Sequence, residues 1–215
     1  MARGRPQDPD KQFATKQALC QAARELLELK PYRSITIREL AHHAGTQSAM
    51  VSYYFGSKEG LFIELLEQSG NRRQQKMMMV AQQVLAQPNQ ALTLLVDNLI
   101  ELMASEPWVV KLLQDEILSQ ESKLRDGFLS AIPQRLKTAL SALLGQLQRQ
   151  GILRADLNLD FTVATLMSNI LFPMLTEPLM SHVLGIQRNT LRSEAWKQHL
   201  TQVLTQGLSP AGAAQ

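Results

Sequence analysis

Near the start of the chain, apolar residues recur at helical spacing and polar breaks cut them into short segments. Leu19, Ala22, Ala23, Leu26 and Leu29 fall three and four apart, which predicts one face of a helix from about Asp10 to Leu29. Pro31 ends it, because the residue before a proline avoids helical backbone angles. A second, short helix starts at Thr36. Thr36 and Glu39 form a capping box in which each side chain serves the other residue's backbone N–H. Ile37, Leu40, Ala41 and Ala44 are its inward positions, and Gly45 suits the left-handed residue that closes such a helix. A third short helix spans about Gln47 to Phe55, with Met50, Val51 and Tyr54 or Phe55 inward. Gly56-Ser57 breaks the chain, and Ser57 caps a long fourth helix to about Leu85.

After Pro88 helical patterns span roughly 89–104, 107–119, 122–150, 158–184 and 192–206, with no internal repeat. Pro107 fits a first turn. Pro133, Pro173 and Pro178 fall inside helical patterns and predict kinks or breaks. In the last segment Trp196, Leu200 and Val203 share a face. The expected fold class is all-α: a three-helix N-terminal domain with a helix-turn-helix, followed by a C-terminal helical bundle. The expected division is a flexible arm at 1–10, the helix-turn-helix domain at 11–56, the bundle at 57–208 and a flexible tail at 209–215.

Composition fits helices. Apolar residues make up 45% of the 215 and aromatics 5%, while unbranched side chains are plentiful. The net charge of +3 lies entirely in residues 1–60, which carry nine Lys/Arg against six Asp/Glu. A basic excess confined to one domain is compatible with nucleic acid. The single cysteine, Cys20, excludes an internal disulfide and reads as a small buried hydrophobe. The sequence Met1-Ala2-Arg3-Gly4-Arg5-Pro6 lacks the apolar stretch of a secretory signal. The stretch Phe161 to Phe172 is too short and polar to span a membrane, so a cytoplasmic protein is expected.

Two short helices joined by a glycine turn make a helix-turn-helix, whose second helix fits the DNA major groove. That role requires a two-faced third helix. With Met50 and Val51 inward, Gln47, Ser48, Ala49, Ser52 and Tyr53 are left for the groove. A small side chain at Ala49 allows close approach to base edges, and Tyr53 and Lys58 suit phosphate.

The stretch from Thr15 to Leu66 resembles the DNA-binding domain of the TetR/AcrR family of bacterial repressors. The likeness rests on Ala22-Ala23-Arg24-Glu25-Leu26-Leu27, on Ser34-Ile35-Thr36-Ile37-Arg38-Glu39-Leu40-Ala41, on Ala44-Gly45 and on Tyr53-Tyr54-Phe55-Gly56-Ser57-Lys58-Glu59-Gly60-Leu61. The resemblance implies phosphate contacts from Thr36, Tyr53 and Lys58, and base-edge contacts from Gln47, Ser48 and Ala49, with Thr46 beside them in the turn. The chain departs from the family pattern at Lys30-Pro31-Tyr32, where glycine is frequent, and at Gly45-Thr46-Gln47, where Gly-Val-Ser is usual. It departs again at Ser52, where a phosphate-touching tyrosine is common. The arm Arg3-Gly4-Arg5-Pro6 resembles an AT-hook core, in which Arg3 and Arg5 enter a narrow A·T minor groove.

No catalytic set is visible, so no enzyme and no cofactor are expected. His42-His43 lack metal-ligand spacing and are expected to face solvent or DNA, and Asp115-Glu116 reads as a solvated face. The bundle instead offers adaptable apolar residues. Met77, Met78, Met79 and Phe161 belong to that set, and Met103, Trp108, Phe128 and Met167 are its candidate ligand contacts. The resemblance implies a pocket there for a small hydrophobic effector, a homodimer through the last two helices, and an inverted-repeat DNA operator. The expected function is thus a homodimeric repressor released by a small molecule. The alternative is a DNA-associated scaffold of the same fold that binds a protein partner. An enclosed pocket favours the first, and an exposed apolar patch away from the dimer face favours the second.

Overall fold

A computed structural model describes residues 9–119 and 121–209. Among them every regular element is helical. In order these are α1 (Pro9–Leu29), a 3-10 turn (Tyr32–Ser34), α2 (Ile37–His43), α3 (Ala49–Phe55), α4 (Lys58–Ala86), α5 (Ala91–Ala104) and α6 (Pro107–Leu112). A π-helical turn (Leu113–Ile117) follows, then α7 (Arg125–Ala131), α8 (Pro133–Arg149), α9 (Leu159–Leu175), α10 (Glu177–Leu184) and α11 (Glu194–Leu208). The all-α expectation is borne out. The chain forms two compact units. Among the described residues, one comprises those up to Ser69 with those in 111–131, and the other comprises Gly70–Val110 with Ile132–Ser209. Helix α4 contributes to both, and residues 111–131 join the first unit, which no sequence pattern indicated.

The first unit is built on α1. Leu19, Cys20, Ala22, Ala23, Leu26 and Leu27 are buried, as are Leu40, Ala41, Val51, Leu61, Phe62, Leu65 and Leu66 of the following helices. Leu29, expected inward, is 75% exposed. Two residues advance a helix by about 200°, so once Leu27 is buried Leu29 must point away. Helix α1 starts at Pro9, so the last two positions of the expected arm are helical. Proline at the first position loses no intrahelical bond, and Asp10 suits the positive end of the helix.

The α2 N-terminus carries the expected capping box. Thr36 Oγ1 accepts from Glu39 N–H at 3.2 Å, and Glu39 Oε2 accepts from Thr36 N–H at 2.9 Å. Such a cap contributes roughly 1 kcal/mol. Gly45 closes α2 at φ 63°. Its N–H reaches His42 O at 3.1 Å, and Thr46 N–H reaches back to Ala41 O at 2.8 Å. This pair of bonds satisfies carbonyls that the helix end leaves open. Helix α3 begins two residues later than expected. Met50 N–H and Val51 N–H bond three residues back, to Gln47 O and Ser48 O, so the entry is a 3-10 turn. Gly56, at φ 74°, ends α3, and Ser57 Oγ accepts from Gly60 N–H at 3.0 Å.

The second unit packs α5 at its centre. Leu95, Val96, Leu99 and Ile100 are fully buried among Val84, Leu140, Leu144, Leu166 and Leu204. The expected segment 122–150 breaks at Ile132-Pro133 into α7 and α8, as the proline predicted. The expected segment 158–184 breaks at Thr176 into α9 and α10, bent by 78°, with Pro173 inside α9. No single described helix is long and apolar enough to cross a membrane. Helix α11 buries Leu200, Leu204 and Leu208 in place of the expected Val203, which is exposed. The buried face follows an i, i+4, i+8 row, and Val203 flanks it.

The turn between α3 and α4 leaves no room at Gly60, where an added Cβ meets Phe55 O at 2.0 Å. Gly60→Ala therefore forces a backbone shift and is expected to cost roughly 1–3 kcal/mol. Urea unfolding measures this, and an unchanged midpoint contradicts the packing described.

Candidate functional site

The outer face of the helix-turn-helix is polar and open. Gln47, Ser48, Ala49, Ser52 and Tyr53 are all exposed, while Val51 anchors α3 from beneath. Met50, Tyr54 and Phe55 are partly buried on the inner side. The structure thus brings the predicted groove-facing residues together on one surface. Thr46 is half-buried in the turn, where its N–H is committed to Ala41 O. Tyr53 stacks edge-on against Tyr54 with ring centroids 4.9 Å apart, which restrains the exposed Tyr53 ring.

Two predicted phosphate contacts are engaged within the protein. Thr36 is exposed, but its hydroxyl donates to Glu39 Oε2 at 2.9 Å while accepting from Glu39 N–H. A hydroxyl has one proton to donate. Lys58 Nζ donates to Tyr32 O at 2.8 Å and lies 4.0 Å from the Tyr32 ring centroid. Burial lowers its pKa from the usual lysine value. Lys58 therefore ties the start of α4 to the loop ahead of α2. Tyr32 in turn packs edge-on against Phe62 at 4.9 Å, and its hydroxyl donates to Glu59 at 3.2 Å.

Lys16, absent from the sequence-based set, is exposed on α1 and 5.9 Å from the centroids of both Tyr54 and Phe55. It adds a cation beside the C-terminal end of α3. No spacing rule links it to α3, because the contact is tertiary. His43, expected to face solvent or DNA, pairs with Glu25 at 2.6 Å, and His42 is exposed. Among the described residues no three His, Cys, Asp or Glu side chains gather to hold a metal ion. Cys20 is buried, and burial raises its thiol to about 11, as befits an inert core residue. Arg3 and Arg5 lie outside the described residues, as does all of the expected tail beyond Ser209.

Asp115 is exposed, but Glu116 is buried, which corrects the solvated reading of this pair. Neighbouring residues on a helix face different ways, and Glu116 turns inward to accept from Arg33 Nε at 2.9 Å. Arg33 also donates to Ser119 Oγ at 3.1 Å, and Lys111 donates to Glu28 O at 3.1 Å. Lys111, Glu116 and Ser119 are thereby fastened to the end of α1 and to the turn that follows it.

The four candidate ligand contacts do not converge. Met103 lines a cavity of about 390 Å³ in the second unit, together with Pro107, Val110, Met174, Arg188 and Arg192. Met167 borders a separate open groove with Phe172 and Trp196. Trp108 is buried and lines neither. Phe128 is buried in the first unit. Helical spacing marks these residues as apolar but cannot say which helices meet around a void. Met77 is buried, Met78 and Met79 are exposed, and Phe161, expected in the bundle, is 73% exposed.

A helix-turn-helix with an open recognition face in one unit, and a cavity in the other, define a DNA-binding regulator. Residues 19–65 match bacterial regulatory proteins of the tetR family, and residues 88–206 match the tetracyclin repressor-like C-terminal domain. The second match alone spans more than half of the chain. The chain belongs to the TetR family and is a transcription regulator with a helix-turn-helix DNA-binding domain. Among solved structures, the transcriptional regulator FadR from Bacillus subtilis in complex with stearoyl-CoA matches with a TM-score of 0.72 at 16% identity, covering 89% of this chain and 98% of that one. A putative TetR-family regulator from Mesorhizobium loti gives 0.72 at 15% identity, covering 93% and 98%. The ketosteroid transcriptional regulator KstR2 of Mycobacterium tuberculosis gives 0.61 at 19% identity, covering 91% and 95%. At these identities the structural likeness speaks for the fold. A comparison with curated proteins gave no match.

The cap that orients α2 is sensitive to acid. The Lys30 hydrogen bond first, then the Thr36 N–H and hydroxyl, hold Glu39 down from 4.5 to about 2. A depressed carboxyl contributes stability above its ordinary pKa and loses it as pH falls through its folded value. Parent and Glu39→Gln should therefore differ most above about pH 4.5 and converge towards pH 2. Unfolding midpoints across that window check this, and a pH-independent difference contradicts it.

Proposed function

We propose that the protein is a homodimeric repressor, acting in the cytoplasm, whose operator binding is released by a small hydrophobic effector. The observation that carries this reading is the open face of α3. Gln47, Ser48 and Ala49 meet base edges, and Ser52 and Tyr53 flank them. Tyr53 and Lys16 take phosphate, joined by Thr36 and Lys58 once these exchange their internal partners for DNA. Arg3 and Arg5 reach the flanking minor groove.

The dimer uses the last helices. Phe172 on α9, with Leu179, Val183 and Leu184 on α10, leaves an apolar surface open in the single chain, and Val203 of α11 is open as well. Apolar area of this kind marks an interaction surface. The cavity beside Met103 favours an effector over a scaffold role, and its volume lies within the range of ligand pockets, about 300–1,000 Å³. That FadR is in complex with stearoyl-CoA adds support for a ligand-responsive reading. The effector acts by preferring a state whose two recognition helices no longer match successive major grooves.

Two measurements test this reading. Gln47→Ala with Tyr53→Ala is expected to lower affinity for operator DNA by about tenfold or more with little change in random-DNA binding, since each base pair read is worth about 1–3 kcal/mol. Its unfolding free energy should fall by no more than about 1.5 kcal/mol, because both side chains are exposed and the Tyr53–Tyr54 edge contact is the ring contact removed. Parent-like operator affinity in the double variant refutes the recognition-helix assignment. Phe172→Glu with Val183→Glu should sediment as one chain where the parent sediments as two, and should lose about tenfold or more in operator affinity as only one half-site is gripped. A variant that sediments as two chains places the dimer face elsewhere.

A further inference from the structure

The cavity in the second unit has a charged rim of one sign. Met103, Pro107, Val110 and Met174 give it apolar walls, and its two ionisable lining residues are Arg188 and Arg192. The two arginines differ in what they already hold. Arg192 donates to Glu101 Oε2 at 2.7 Å, and Glu101 also receives Lys197 at 3.5 Å. Arg192, first among the causes, holds Glu101 below the usual carboxylate range, so its charge is answered locally. Arg188 has no ion pair among the described residues.

The turn that carries Arg188 is braced. Gly185 ends α10 in the left-handed conformation at φ 68°, and Ile186 N–H returns to Met180 O at 3.2 Å. Gln187 N–H donates to Thr190 Oγ1 at 3.3 Å, and Asn189 Oδ1 accepts from Thr190 N–H at 2.8 Å. Arg192 N–H closes the turn on Asn189 O at 3.1 Å, and Leu191 is buried beneath it. Arg188 therefore sits exposed at the cavity on a fixed backbone, so only its side chain needs ordering to present its guanidinium. A planar guanidinium with two parallel N–H donors matches a carboxylate in shape and charge.

Taking the effector reading above as its premise, we infer that the cavity holds an amphipathic organic acid. Its carboxylate sits on Arg188, and its short apolar body lies between Met103, Val110 and Met174. At about 390 Å³ the space lies near the lower end of ligand pockets, which selects a compact acid over a large conjugate.

Calorimetric titration of the full chain, without DNA, compares octanoate with the neutral 1-octanol and the cationic octylamine. Octanoate should bind about tenfold or more tightly than either, the scale of a charge-assisted hydrogen bond. Arg188→Gln should bring octanoate down to the level of octanol and leave octanol unchanged. Ala104→Phe, which fills the cavity from its partly exposed wall, should weaken octanoate and octanol alike. Arg188→Gln alone decides if the filled variant does not fold. The inference is overturned if no probe binds, if octanol matches octanoate, if Arg188→Gln keeps the preference, or if a folded Ala104→Phe binds octanoate as the parent does. A gel shift separates this from the effector reading. Operator binding with no octanoate affinity sinks the ligand class alone, whereas octanoate binding that leaves the operator complex intact sinks release by this ligand.

Discussion

The placement of the recognition helix rests on a turn that an L-residue with a side chain rarely makes. Gly45, at φ 63°, lets α2 stop and α3 begin within five residues, and it aligns the two backbone bonds to His42 O and Ala41 O. No atom lies near enough to fill the space beside it, so the demand is conformational, not steric. The Thr36–Glu39 cap fixes the other end of α2. With both ends set, α2 has one length and one direction, and Val51 has one place to pack. The polar face of α3 is outward because its apolar anchor is pinned inward.

These features were legible in sequence because they are local. A capping box, a glycine stop and a serine cap each depend on residues within four positions, and each stands where its pattern indicated. The tertiary links were not legible. Lys58 looks like a phosphate contact but is bound to Tyr32, twenty-six residues back. Glu116 looks like a solvated acid but is buried on Arg33. Lys16 and Tyr54 meet only because α1 and α3 pack together. The candidate ligand residues are dispersed for the same reason, since Met103, Trp108, Phe128 and Met167 share a composition and not a cavity.

The second unit shows how one helical face is divided between uses. Leu200, Leu204 and Leu208 of α11 turn inward, while Val203 stays open on the flank. Helices α9 and α10 part at Thr176 with a 78° bend, and α10 buries no residue. An apolar helix that buries nothing in its own chain is costly in water unless a partner covers it, which is the physical basis of the dimer proposed here. The braced turn after α10 then brings Arg188 to a cavity whose apolar walls are methionine, alanine, proline and valine.

In the proposed repressor, two copies of α3 read DNA together. Selection of bound sequences from random DNA by the full chain tests it most directly. The expected product is an inverted repeat whose half-sites lie about 34–36 Å apart, one helical turn, or a multiple of it, as a symmetric pair of recognition helices requires. Enrichment of a single unrepeated site, or no enrichment at all, contradicts it.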